Sequence, residues 1–317
     1  MKEKSIVFMG TPEFAVASLN ALVEAGVRVA AVVTAPDRPA GRGLKQQGSA
    51  VKQRAIALGL PVLQPEKLRD PVLIDTLRSL GADLFVVVAF RMLPEVVWSM
   101  PPLGTINLHA SLLPRYRGAA PINWAIMNGE KVTGVTTFLL DKQIDTGDIL
   151  DQRSCPIGPE TSAGELHDTL MVLGAELLTS TVKDLFTGTA KSSPQVGDGR
   201  DAPTHAPKLT PEICRVDWTR PAQEVHDHIR GLDPHPGAWS TLVQEGRPGS
   251  RVKVFASRVV EGGDLAVGAV TTDRNGITVG CGQGALRLES LRPEGRKRMS
   301  GADFTRGLQA GTDLHFV

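Results

Sequence analysis

Gly104-Thr-Ile-Asn107-Leu-His109-Ala-Ser111-Leu-Leu113-Pro114 is a short apolar run that ends in an amide, an imidazole and a prolyl turn. Residues two apart on a strand face the same side, so Asn107 and His109 project together. Working outward, short apolar runs of the same kind recur at 5–9, 27–33, 62–63 and 84–89. Helical patterns lie between and around them at about 13–25, 50–58, 71–80 and 95–99. Pro12 suits the first turn of the first helix, where its missing N–H has no partner to lose. Short buried strands alternating with helices predict an α/β unit with a parallel-rich sheet covered on both faces. Two more strand patterns follow at 135–140 and 149–157. A helix over about 162–185, with Leu166, Leu170, Leu173, Leu177 and Leu178 near helical spacing, closes the unit.

The chain has 317 residues, more than one core usually fills, so two domains are expected. Residues 1–188 form the first. Gly, Ser, Pro, Thr and Asp dominate 189–207, which reads as a linker. Residues 208–317 carry an amphipathic helix at 221–230 and short β-like runs at 238–243, 251–257, 268–272, 276–279 and 285–291, which predict a small barrel or sandwich. The formal charge is +1, so any RNA contact must come from local basic patches. Cys155, Cys214 and Cys281 are far apart and odd in number, which argues against a disulfide framework or a metal site and for a reducing compartment. The apolar run near the N-terminus is too short for a signal peptide, and no run approaches the ~20 residues of a membrane span. A cytoplasmic protein with no obligate protein partner is expected.

Asn107, His109 and Asp145 are a working set for acyl-type transfer. An amide can hold a developing oxyanion, an imidazole can move a proton, and a carboxylate can orient the imidazole or order a water. The pair on the strand is also what a locally satisfied strand end looks like, and Asp145 in Ile144-Asp-Thr-Gly-Asp148 is also an ordinary turn residue. Gly10-Thr-Pro12 is not a Gly-x-Gly-x-x-Gly loop, so nicotinamide binding is rejected. The segment 34–48 is long for a β–α connection and carries Arg38, Arg42 and Lys45, which suits phosphate contact or a solvated loop equally. Basic residues also gather in the run from Lys253 to Arg258, and at Arg292, Arg296, Lys297 and Arg298. His226 and His228 are two apart, the wrong spacing for one helical face, and read as surface or structural residues. Trp218 and Trp239 read as packing anchors.

The run His109-Ala-Ser111-Leu-Leu113-Pro114-Arg-Tyr-Arg-Gly118 resembles the His-x-Ser-x-Leu-Pro-x-x-x-Gly signature of enzymes that use 10-formyltetrahydrofolate. Phe8-Met-Gly10-Thr-Pro-Glu-Phe14, Pro36-Asp-Arg38-Pro-Ala-Gly-Arg42-Gly43, Gly118-Ala-Ala-Pro-Ile-Asn-Trp-Ala-Ile126 and Asp145-Thr-Gly-Asp148 extend the resemblance to the methionyl-tRNA formyltransferase family. It implies a Rossmann-like formyltransferase domain followed by an OB-like barrel that binds tRNA. It assigns catalysis to Asn107, His109 and Asp145, and folate contact to Ser111, Leu112, Leu113 and Pro114, with Phe90 and Met92 on the pocket wall. The donor would be 10-formyltetrahydrofolate, with no metal, and the acceptor methionyl initiator tRNA, for translation initiation. Arg38, Arg42 and Lys45 would reach the acceptor stem, and Arg296, Lys297 and Arg298 would track its backbone. The chain departs from the family at Arg91, where a glycine is usual, and at Ala110, Tyr116, Asn123 and Trp124. An amino-sugar nucleotide formyltransferase, a formyl-folate hydrolase or a silent tRNA- or folate-binding protein would share parts of this pattern.

Overall fold

The computed structural model describes residues 3–40, 45–195, 204–244, 247–261, 265–274, 276–307 and 313–317. In chain order the elements begin with β1 (Ser5–Gly10), α1 (Glu13–Glu24), β2 (Arg28–Val33), β3 (Arg38–Ala40), β4 (Lys45–Gln47), α2 (Ala50–Ala57), β5 (Val62–Leu63), α3 (Pro71–Leu80), β6 (Leu84–Val88), α4 (Glu95–Trp98) and β7 (Thr105–His109). Next come β8 (Arg117–Gly118), α5 (Pro121–Met127), β9 (Val132–Leu139), β10 (Ile149–Pro156), α6 (Ala163–Thr187), β11 (His205–Ala206) and α7 (Ala222–Gly231). The chain finishes with β12 (Ala238–Gln244), β13 (Arg247–Val260), β14 (Val270–Asp273), β15 (Gly276–Gly280), β16 (Ala285–Pro293), β17 (Met299–Ser300), α8 (Gly301–Arg306) and β18 (Leu314–Phe316).

The chain divides into two compact units. The first comprises 1–118, 133–155 and 167–205, and its sheet has the order β10-β9-β7-β6-β1-β2-β5. β1 pairs in parallel with β2 and β6, β6 with β7, and β2 with β5. β9 runs antiparallel to β7, so the sheet is parallel-rich rather than wholly parallel. β1, apolar after Ser5, and the all-apolar β6 are buried on every residue, as strands covered on both faces must be. The chain starts at β1, walks outward to β5, then crosses back to β6 and β7. That reversal is where open α/β sheets bind ligands, beyond the carboxyl ends of their strands. α3 shows how local signals set an element: Asp70 accepts from the Val72 amide, Pro71 opens the helix, and Gly81 ends it at φ 56. Its Leu73 and Leu77 pack with Val7, Val33, Phe85 and Val97.

The second unit comprises 119–132, 156–166 and 206–317. Its antiparallel sheet runs β14-β15-β16-β13-β12-β18, with β17 on β16. The Ala269–His315 bridge and the Phe316 amide bond to Gly268 (2.8 Å) bring the two ends together, which makes the nearly closed barrel. The core joins Trp218, Val225, Ile229, Val252, Val254, Ile277, Leu286, Leu288 and Phe316. α7 also carries a buried ion pair. Arg230 meets Asp227 at 2.6 Å and donates to the carbonyls of Thr161 (2.8 Å) and Gly158 (3.3 Å). Removing one partner of such a pair typically costs about 3–5 kcal/mol, because a buried charge is left alone. His226 is a buried structural residue, held between the Ser257 hydroxyl (3.2 Å) and the Pro159 carbonyl (3.3 Å). Among the described residues no helix is long and apolar enough to cross a membrane.

His228 makes the second unit acid-sensitive. Burial pushes its imidazole down from 6.5 to about 4. Below about pH 6.5 the unfolded chain takes up a proton that the folded histidine refuses until about pH 4, so stability is lost as pH falls through that window. Urea unfolding at pH 7 and pH 4.5 should show wild type losing up to about 3 kcal/mol more than His228→Gln.

Candidate active site

The site is built at the carboxyl end of β7, which sits between the parallel β6 and the antiparallel β9. That placement presents Asn107 and His109 on one face of the strand. Among the described residues nothing hydrogen-bonds the Asn107 amide, which leaves it free to donate. His109 is 6% exposed, and its two ring nitrogens face different groups. Nε2 lies 2.9 Å from the Tyr116 carbonyl oxygen. A carbonyl can only accept, so Nε2 carries the proton and Nδ1 of the neutral ring carries the lone pair. Nδ1 in turn faces the Asp145 carboxylate at 3.8 Å. The tautomer is therefore set by a backbone carbonyl, not by Asp145, which instead receives the Gly118 amide on Oδ2 (2.9 Å).

Both groups that face the imidazole come from strained backbone. Tyr116 has φ 60 and Asp145 φ 55, in the left-handed region that non-glycine residues rarely occupy. Such residues cost on the order of 1–3 kcal/mol each and persist only when their surroundings over-determine them. The Tyr116 amide donates to the Thr204 hydroxyl at 2.7 Å, and the Arg117 amide to the Thr204 carbonyl at 2.9 Å. Gln195 Nε2 donates to the Asp145 carbonyl (3.0 Å) and the Gly147 carbonyl (2.8 Å). Its Oε1 accepts from Arg117 Nε (3.1 Å) and Nη2 (2.7 Å). Composition marks 189–207 as a linker, yet the described residues on either side of 196–203 are bonded into this frame.

Ser111 to Pro114 form the loop that leaves β7. Ser111 is fully buried, and its hydroxyl donates to the Arg115 carbonyl at 2.6 Å. The Thr136 hydroxyl donates to the Ser111 carbonyl (2.6 Å) and accepts from the Leu113 amide (3.1 Å). Gln152 donates to the Leu113 carbonyl at 2.9 Å. Leu113 and Pro114 are buried and Leu112 is half-buried, so this loop frames the site with apolar surface. On the neighbouring β6–α4 connection, Phe90 packs onto the core of the first unit, whereas Met92 is 73% exposed. Met92, Leu93, Pro94 and Trp98, with Arg91, line a cavity of about 630 Å³. Arg91 is anchored by the Pro65 and Glu66 carbonyls, at 2.8 and 2.9 Å. Burial, then the charge of Arg38, pulls its guanidinium below the usual arginine range.

The remaining candidates are dispersed. Arg38 is exposed at the start of β3, which pairs with β4. Lys45 opens β4, and Arg42 lies outside the described residues. At the base of this ribbon Asp37 meets Lys52 at 2.6 Å and accepts from Gln64 at 2.7 Å; the Gln64 bond, then Lys52, holds its carboxyl below the usual range. Arg296 and Lys297 are exposed on the barrel, but Arg298 is bound to Asp233 at 3.0 Å and to Ser290 at 2.6 Å. Trp218 is the packing residue expected, donating to Ser240 at 2.9 Å. Trp239 is only half-buried, and the Arg251 guanidinium lies 3.7 Å over its ring. Strand register sets Trp239 opposite Lys253 and Lys253 opposite Arg292, a basic-aromatic row that linear sequence does not display. Asn123 and Trp124 are tied inward, to the carbonyls of Gly231 (2.8 Å) and Pro207 (2.8 Å).

Residues 3–182 match the formyl transferase family model, and 208–309 match the model of the formyl transferase C-terminal domain. A protein of Parabacteroides distasonis named methionyl-tRNA formyltransferase is 50% identical, over 96% of this chain and 95% of its own. One of the same name from Symbiobacterium thermophilum is 47% identical, over 97% of this chain and 94% of its own. Among solved structures, HypX from Aquifex aeolicus in complex with tetrahydrofolic acid superposes with a TM-score of 0.66 at 20% identity, covering 98% of this chain and 48% of that one. A sugar 3N-formyltransferase crystallised with dTDP and 5-N-formyl-tetrahydrofolate gives 0.65 at 15% identity, covering 94% of this chain and all (100%) of that one. At these identities the two structures share the fold.

The Asp145 loop has a steric test. A Cβ on Gly147 would stand 1.7 Å from the Leu139 carbonyl oxygen, so only glycine lets the loop cross the end of β9. Gly147→Ala should destabilise the first unit by about 1–3 kcal/mol in urea titration. An unchanged midpoint would mean that the loop rests elsewhere.

Proposed function

The chain belongs to the formyl transferase family, and we propose that His109, held between a carbonyl and a carboxylate beside an open amide, carries its chemistry. The enzyme transfers the formyl group of 10-formyltetrahydrofolate to the α-amino group of methionyl-tRNA. The neutral amine attacks the formyl carbon. The carbonyl oxygen becomes an oxyanion, and the Asn107 amide donates to it; one such donor is typically worth about 2.7–4 kcal/mol in the transition state. His109 Nδ1, whose lone pair is fixed by the Nε2–H bond to Tyr116, takes the proton from the new ammonium. The imidazolium so formed faces the Asp145 carboxylate. It then gives its proton to the folate nitrogen as the carbon–nitrogen bond breaks, and the oxyanion collapses to the formamide.

Ser111 works by holding the loop, and Leu112, Leu113 and Pro114 supply its apolar wall. Phe90 supports the neighbouring wall from the core, and Met92 offers it a flexible exposed side chain. Residues 1–188 carry the catalytic residues, braced by Gln195 and Thr204 from the stretch 189–207, and 208–317 carry a tRNA-facing barrel. Arg38, Arg42 and Lys45 meet the acceptor stem of the initiator tRNA. On the barrel, the row of Trp239, Lys253 and Arg292, with Arg251, Arg296 and Lys297, tracks phosphates; Arg298 organises that face through Asp233. The setting is the cytoplasm, where translation begins, with no obligate protein partner. Relatives at 47–50% identity over nearly the full chain favour methionyl-tRNA over an amino-sugar nucleotide.

Purified protein given 10-formyltetrahydrofolate and methionyl-tRNA should place formyl groups on methionine. Asn107→Ala and His109→Ala should each lower turnover by about 10²-fold or more while folding normally. A near-wild-type rate in either variant removes that residue from the mechanism. Transfer only to an amino-sugar nucleotide would overturn the acceptor.

Lys253→Ala and Arg292→Ala should raise KM for tRNA, leave kcat unchanged, and each flatten the salt dependence of binding by about one unit of log–log slope. Fluorescence anisotropy of labelled tRNA at several salt concentrations checks this. An unchanged slope in both moves the tRNA to another face.

A further inference from the structure

We infer that Gln195 and Thr204 are positioning residues for formyl transfer. Both belong to the stretch whose composition reads as a linker. The inference rests on His109 being the proton carrier and Asp145 its carboxylate.

Each acts through a neighbour. The only protein group bonded to His109 Nε2 among the described residues is the Tyr116 carbonyl, at 2.9 Å, and Thr204 accepts from the amide of that same Tyr116 at 2.7 Å. On the other side of the ring, Asp145 faces Nδ1 at 3.8 Å, and Gln195 donates to the carbonyls of Asp145 and Gly147, at 3.0 and 2.8 Å. Tyr116 and Asp145 both have left-handed backbone, a conformation that persists only where the surroundings hold it. Arg117 couples the two sides. Its amide donates to the Thr204 carbonyl at 2.9 Å, and its guanidinium donates twice to Gln195 Oε1. The next residue, Gly118, donates to the Asp145 carboxylate at 2.9 Å. Ser193 anchors the stretch through reciprocal backbone bonds with Ile149, at 2.8 and 2.9 Å. A brace that served stability alone has no reason to converge on the two strained residues facing the two imidazole nitrogens. This one fixes the tautomer from one side and the carboxylate from the other, so Nδ1 arrives at the amine already in its accepting form.

The test uses the full chain carrying Thr204→Val, Thr204→Ser, Gln195→Ala or Gln195→Glu. A misplacement of about 1 Å at such a site can cost about 10²-fold. Thr204→Val and Gln195→Ala should therefore lower kcat by about 10- to 100-fold with KM for folate and tRNA unchanged. Thr204→Ser should recover the rate because it restores the hydroxyl. Gln195→Glu should stay slow, because it can still accept from Arg117 but offers no N–H to the Asp145 carbonyl. Nitrogen-15 NMR of the imidazole needs no substrate: wild type should show His109 as the Nε2–H tautomer, and Thr204→Val should show a mixture. The positioning role is overturned if kcat per folded molecule is unchanged, if the loss appears in KM, or if the tautomer stays fixed. Absence of formyl transfer by wild type would instead overturn the reading of the enzyme, and the NMR arm would still decide the positioning.

Discussion

A buried imidazole must satisfy two ring nitrogens that cannot both be donors in the neutral state, and the rest of this site is arranged around that constraint. Tyr116 supplies the acceptor for Nε2 through its backbone carbonyl. A carbonyl cannot ionise or rotate away, so the tautomer is held independently of pH-sensitive side chains. Asp145 is left to respond to the charge that appears when Nδ1 is protonated. At 3.8 Å it is too far for a direct hydrogen bond and close enough for attraction that grows in a dry site. Its own carboxylate is steadied by the Gly118 amide. One group sets the tautomer and another stabilises the charge.

The sheet explains why these pieces meet. β1 enters the middle of the sheet, the chain travels out to β5, and the return crossing places β6 and β7 on the other side. Loops leaving the carboxyl ends of β6 and β7 therefore open above the switch point, where strand ends leave a crevice. The antiparallel β9 lets Thr136 stand opposite His109 and bond the Ser111–Leu113 turn, which stiffens the loop that leaves the catalytic strand. The signature from His109 to Gly118 is thus mostly a backbone device: its serine hydroxyl is spent inside the loop, and its tyrosine contributes a carbonyl.

What was legible in the sequence follows from range. Strands and helices announced themselves through local periodicity, and Asn107 with His109 through a two-residue spacing. Asp145 needed the motif resemblance, because nothing local distinguishes it from a turn aspartate. Gln195 and Thr204 were out of reach: their partners lie 78 and 88 residues away, and a Gly-, Ser- and Pro-rich stretch hides them among linker residues. His226, whose spacing left a surface or a structural role open, is buried, with its two ring nitrogens against the Ser257 hydroxyl and the Pro159 carbonyl. Asn123 and Trp124, two of the departures from the family pattern, are committed to the carbonyls of Gly231 and Pro207.

The basic residues of the barrel make the same point about charge. Arg258, Arg287 and Arg298 each face a carboxylate, at 3.4, 2.7 and 3.0 Å, and so contribute little free positive potential. Arg251, Lys253 and Arg292 have no ion-pair partner among the described residues. Alternation along β13 turns Val252 and Val254 to the core and Arg251 and Lys253 outward, beside Trp239. The Arg251 guanidinium over the Trp239 ring is held without neutralising its charge, so it can meet a phosphate already ordered. A chain with net charge +1 cannot attract RNA as a whole. A sheet face that gathers its unpaired cations around an aromatic ring can do so locally, and it offers phosphates rather than bases as the natural contact.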